Sequence, residues 1–81
     1  MNGMGPGADI REMMREEGLD LQMKSPQHYR AVRAGKIEAT VVFNRYMGAW
    51  VAAKTGFLTA IFGKRGVGGS PEEALLHLYV Q

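Results

Sequence analysis

The chain has 81 residues, of which 46% are apolar and 22% charged, with a net charge of +2 and no cysteine. That length supports one domain whose core is only just sufficient. The composition excludes disulfides and thiolate zinc sites, and no apolar run reaches the roughly 18–20 residues that span a bilayer. Residues 1–8 read as a flexible tail, with neither the basic residues nor the apolar stretch of a signal peptide. A single α+β domain is expected over residues 9–81, and the lack of cysteine fits a reducing cytoplasm.

Charge is segregated along the chain. Residues 1–20 carry Asp9, Glu12, Glu16, Glu17 and Asp20 against Arg11 and Arg15, a net of −3. Residues 21–69 carry Lys24, Arg30, Arg33, Lys36, Arg45, Lys54, Lys64 and Arg65 against Glu38 alone, a net of +7. Glu72 and Glu73 make the remainder acidic. A basic middle between acidic ends steers toward an anionic partner, or simply keeps a small protein in solution.

The first expected element is a helix from Asp9 to Glu17. Asp9 and Glu12 have capping-box spacing, Gly18 supplies the stop, and Ile10, Met13, Met14 and Glu17 share one face. Ser25-Pro26-Gln27-His28 has the form of a second helix start, with Gly35 as its cap and Tyr29 and Val32 facing inward. Arg30 and Arg33 would then lie side by side on the outward face.

From Ile37 the period changes to two. Ile37, Ala39, Val41 and Phe43 alternate with Glu38, Thr40, Val42 and Asn44, a half-buried strand. Asn44-Arg45-Tyr46-Met47-Gly48 should reverse the chain. Ala49–Ala53 makes a second strand, whose alanines suggest close approach by a helix, and Phe57–Phe62 makes a third. Short connections between them imply an antiparallel meander. Gly63–Gly69, with four glycines in seven residues, is expected to be irregular. Ser70, Pro71 and Glu73 then give three start signals for a C-terminal helix with Leu75, Leu78 and Tyr79 inward and Leu76 and Val80 widening that face.

Candidate chemistry is sparse. Ser25 and Ser70 are explained as helix caps, and no nucleophile motif joins either to His28 or His77. The two histidines lack metal-ligand spacing, so no metal or other cofactor is expected. The glycine loop before Ser70 lacks the Walker lysine, and Pro71 removes a donor that a phosphate cradle requires. What remains is a mobile basic tip at Lys64 and Arg65, together with aromatics near bases. Trp50 reads equally well as core, whereas Tyr46 beside Arg45 is the better exposed contact residue.

Residues 36–79, with three strands followed by Gly68-Gly69-Ser70-Pro71-Glu72-Glu73-Ala74 opening a helix, resemble the HicB-type antitoxin domain. That resemblance implies a small α+β unit that binds a toxin. The helix-sheet-helix order also resembles the double-stranded-RNA-binding domain. That family clamps phosphate with lysines at its last helix, where Glu72 and Glu73 would repel it here. In size, compactness and charge segregation the chain is similar to phage-encoded anti-CRISPR inhibitors, which implies obstruction of a nucleic-acid-handling complex.

The expected architecture is therefore a three-stranded antiparallel meander with the C-terminal helix on one face and one or two short N-terminal helices. The expected function is non-enzymatic binding of an acidic protein surface or a nucleoprotein complex, with antitoxin action or direct nucleic-acid binding as alternatives. Arg30, Arg33, Arg45, Tyr46, Lys54, Lys64 and Arg65 are the expected partner contacts, arginine and tyrosine being frequent carriers of interface energy. The chain would act as a monomer or as an edge-strand homodimer, away from membranes.

Overall fold

The computed structural model describes residues 6–56 and 63–80. Its elements are α1 (Pro6–Glu17), β1 (Asp20–Ser25), β2 (His28–Arg33), β3 (Lys36–Asn44), β4 (Ala49–Lys54), β5 (Arg65–Gly68) and α2 (Pro71–Tyr79). The class is α+β, as expected, but the sheet is larger: five antiparallel strands in the order β1-β2-β3-β4-β5. Among the described residues two helices accompany it. The predicted strand Phe57–Phe62 lies outside the described residues.

Helix α1 opens at Pro6, three residues before the expected Asp9. Its end follows the prediction. Gly18 takes a left-handed φ of 69°, the Leu19 amide donates to the Met14 carbonyl at 2.8 Å, and Gly18 donates to Arg15 at 3.3 Å. These are the two bonds of a Schellman stop, which satisfy carbonyls that a helix end otherwise leaves bare. Leu19 is buried just beyond the stop, and Ile10 and Met13 are buried on the face the periodicity assigned.

The expected second helix is instead the hairpin β1–β2, and the reason is physical. Ser25 and His28 pair across Pro26-Gln27, so proline occupies the second position of a tight turn instead of a first helical one. At the other end, Ala34 (φ 51°) and Gly35 (φ 80°) are both left-handed, as a two-residue hairpin turn requires. The residues that cap helices also turn hairpins, and six residues between two such signals favour a strand. Arg30 and Arg33 consequently project to opposite faces of β2.

The next turn matches its prediction. The Asn44 side chain accepts from the amides of Tyr46 at 2.9 Å and Met47 at 3.0 Å, and Gly48 closes the turn with a φ of 65°. Strands β3 and β4 then pair without interruption from Asn44↔Ala49 to Ala39↔Lys54.

Gly63–Gly69 is not wholly irregular, because Arg65–Gly68 forms the edge strand β5. Its glycines serve close approach to a helix. A β-carbon on Gly66 would overlap the Ala74 carbonyl and the Leu78 amide of α2, and one on Gly68 would come within 2.7 Å of the Ala74 amide. The same approach fixes small residues on the neighbouring strands. Ala31, Ala39, Val41 and Ala52 are fully buried beneath the helices, with Ala74 and Leu75 above them.

Helix α2 begins as its sequence dictates. Ser70 Oγ accepts from the Glu73 amide at 3.1 Å, and Glu73 Oε1 accepts from the Gly69 amide at 2.6 Å. It lies across β3, β4 and β5, and α1 packs against it. Val80, expected to widen the buried face, is exposed.

Candidate functional site

Both helices pack on one face of the sheet, and among the described residues no element covers the other. The registers place two rows of side chains side by side on that open face. His28 pairs with Val42, Val42 with Val51, and Val51 with Val67, so three valines stand abreast across β3, β4 and β5. The next row runs Gln22, Arg30, Thr40, Ala53, Arg65. Val42 is 43% and Val67 38% exposed, and Ile37 beyond Val32 adds further apolar surface. Solvated faces of antiparallel sheets normally carry polar side chains, so an exposed valine row is an unusual use of that surface.

The predicted contact residues fall into separate groups. Arg30 and Arg65 lie in one row of the open face, three strands apart, or ~14 Å at the usual strand spacing. Lys64 precedes Arg65 and is exposed. Arg65 also donates to the carbonyls of Gly63 at 3.0 Å and Lys64 at 3.4 Å, which holds the start of β5. Arg45 and Tyr46 sit at the β3–β4 tip, at the far end of the sheet from Lys64. Tyr46 is fully exposed, as its turn position predicted, and Met47 beside it is 56% exposed.

Arg33 and Lys54 belong to the helix side. The Arg33 guanidinium reaches Glu17 of α1 at 3.3 Å and Glu38 of β3 at 3.8 Å. Its Nε and the Tyr79 hydroxyl are buried, and among the described residues neither meets a hydrogen-bond partner at ordinary geometry. Burial, followed by the Glu38 charge, raises the Tyr79 pKa above its ordinary value, and the nearby Arg33 opposes that rise. Lys54 Nζ lies 4.7 Å from the centre of the Tyr79 ring, a cation–π contact. These two cations thus tie α1 and α2 to the sheet.

Trp50 is part of the packing. It stands edge-on to Tyr29 and to Phe43, with ring centres 5.5 Å apart in both pairs, on the helix side of the sheet. Among the described residues the strands of the open face therefore carry valines, cations and His28, and no phenylalanine, tyrosine or tryptophan ring.

Two grooves flank α2. One, of about 360 Å³, is lined by Arg65, Val67, Leu76, His77 and Val80. There His77 Nδ1 faces the Val67 carbonyl, which can only accept a hydrogen bond. The other, of about 490 Å³, runs between α1 and α2, with Asp9, Glu12, Glu16 and Glu17 around Met13, Leu76, Tyr79 and Val80. Among the described residues no group of histidine, aspartate or glutamate has metal-binding geometry.

Sequence reasoning did not single out the valine row. Its one legible sign was Val42, a β-branched apolar residue in the outward phase of β3. Val67 sat in a stretch expected to be irregular, so its alignment with Val42 and Val51 required the register of β5. Comparisons with known families, curated proteins and solved structures find no match to this chain.

Proposed function

We propose that this chain is a non-enzymatic binding protein that docks the open face of its sheet onto an acidic protein surface. The role we assign is obstruction by occupation, as in phage-encoded inhibitors of nucleic-acid-handling complexes. The observation that carries the reading is the valine row Val42–Val51–Val67, exposed at both ends and bordered by the row holding Arg30 and Arg65. Apolar centres with cationic neighbours suit a protein partner whose own centre is apolar and whose rim is acidic. Direct binding of single-stranded nucleic acid is less well supported. Base stacking needs several exposed rings beside the cations, and Tyr29, Phe43 and Trp50 pack together on the helix side, which leaves the exposed Tyr46 at the β3–β4 tip, away from Arg30 and Arg65.

The test is a side-by-side capture from bacterial lysate with the wild-type chain and with Val42→Glu/Val67→Glu. Both positions are exposed, so the fold should survive, as circular dichroism would verify. A protein retained by the wild type and lost with the variant supports the reading. Equal retention by both would remove the open face from it. Reversing Lys64 and Arg65 together (Lys64→Glu/Arg65→Glu) should weaken the same capture, with a steeper effect at low salt.

A further inference from the structure

We propose that the chain forms a twofold-symmetric dimer by pairing β1 with β1 of a second copy, in the register that sets Gln22 against the partner's Gln22. This inference does not rest on the function proposed for the open face. It starts from an edge. β1 is the first strand of the sheet, and among the described residues nothing pairs with its outer side. Asp20, Gln22, Met23, Lys24 and Ser25 are exposed, with Met23 at 61%. An edge strand of this kind presents a row of backbone donors and acceptors to any strand of matching shape.

The sequence of β1 matches itself. Asp20-Leu21-Gln22-Met23-Lys24 reads the same in chemical type from either end once opposite charges are paired. Antiparallel neighbours keep their faces in phase, so a symmetric pair must be centred on a residue and not between two. Four centres lie within the strand: Leu21, Gln22, Met23 and Lys24. Only the Gln22 centre sets Asp20 opposite the partner's Lys24, twice by symmetry. It also sets Leu21 opposite the partner's Met23 on the helix side, which covers that exposed methionine. Directly opposed pairs of opposite charge, and of apolar residues, are the contacts that stabilise strand pairing.

Local geometry suits this register. Asp20 to Met23 pair regularly with Val32 to Tyr29, so four consecutive residues of β1 are straight. The bulge falls at Lys24, the last residue but one of the strand, so the alternation of faces is interrupted there and the pair with Asp20 relies on the reach of the lysine side chain. Among the described residues the Asp20 carboxylate accepts one hydrogen bond, from the Gln22 side-chain amide on its own strand at 3.4 Å, and it remains exposed to a cation from outside. The described strands of the two copies would form one ten-stranded sheet with the described helices on one side. The two Arg30 residues would lie ~14 Å apart across the new centre, at the usual strand spacing.

A charge swap tests the register. Sedimentation velocity over a concentration series should show the wild-type chain as a dimer, and Asp20→Lys and Lys24→Asp each as a monomer. Mixing the two variants should restore a dimer, since one then presents two lysines and the other two aspartates. The double variant Asp20→Lys/Lys24→Asp should dimerise alone, which keeps the test valid if either single variant loses structure by circular dichroism. A monomeric wild type at every concentration overturns the proposal. So does a dimer that persists in both single variants, which would place the contact at β5 or on the open face, and so does failure of both the mixture and the double variant to associate.

Discussion

Gly66 of β5 lies directly against the main chain of Ala74 in α2, so close that a β-carbon would fall on the Ala74 carbonyl oxygen. Helix and strand touch backbone to backbone there, and the contact seats α2 on the edge of the sheet. Gly66→Ala should therefore push the helix outward and destabilise the fold by about 2–3 kcal/mol, the cost of overpacking a site that has no flexible neighbour to yield. Gly69→Ala is the control. Its β-carbon would meet only Glu73 Oε1, at 3.4 Å, and the change should stay within about 0.5 kcal/mol. Urea unfolding of the two variants distinguishes them.

The β2–β3 turn carries a strained residue. Ala34 adopts a φ of 51°, a region in which its β-carbon crowds the following carbonyl. Ala34→Gly relieves that clash and should stabilise the protein by about 1 kcal/mol, read as a higher urea midpoint at unchanged slope. A lower midpoint would show that the turn does not need the left-handed region at this position.

Ser70 and Glu73 satisfy two amides at the start of α2. Ser70→Ala removes one of them and should cost about 1 kcal/mol, whereas Ser70→Asp should keep most of it. The ordering of the two variants is the informative result, since a loss equal in both would point to packing of the side chain instead of capping.

Tyr79 links the helix to alkaline stability. Its folded-state pKa is raised, chiefly by burial and then by Glu38. A group raised in this way contributes fully below its unfolded pKa of about 10, and that contribution is lost as pH rises through the folded value. Wild-type stability should thus fall above about pH 10, and Tyr79→Phe should remove the part of that fall due to this phenol. At neutral pH the same substitution should cost less than about 1 kcal/mol, because among the described residues the hydroxyl meets no hydrogen-bond partner at ordinary geometry. An absorbance titration of the two proteins gives the Tyr79 shift by difference.

How much of this was legible in the sequence depended on whether a signal had one meaning or two. Ser70, Pro71 and Glu73 act together only at a helix start, and α2 appears where they place it. The alternation of β3 from Ala39 onward and the Asn44 turn were similarly unambiguous, whereas Ile37, in the same sequence phase, is exposed on the other face because the β2–β3 register shifts between Ala31 and Val32. Pro26 and Gly35, by contrast, suit a helix and a hairpin equally, and the pairing of β2 with β1 and β3 decides between them. The glycines of β5 weaken a strand taken alone, and only the helix above them accounts for their presence. The candidate surface divided along the same line. Tyr46 could be placed from its turn, while the partnering of Arg33 and Lys54 depended on contacts with α1 and α2 that no local pattern encodes.

Every described strand borders, in the sheet, the described strand that precedes or follows it in the chain. The polypeptide can accordingly assemble by successive zipping of neighbours, with little loop-closure entropy to overcome at each step, and rapid folding is the consequence. The docking of α1 on α2 is the exception, since it joins the two ends of the sequence. That contact has to wait for the rest and should be the first to open, making the N-terminal helix the segment whose amides exchange with solvent soonest.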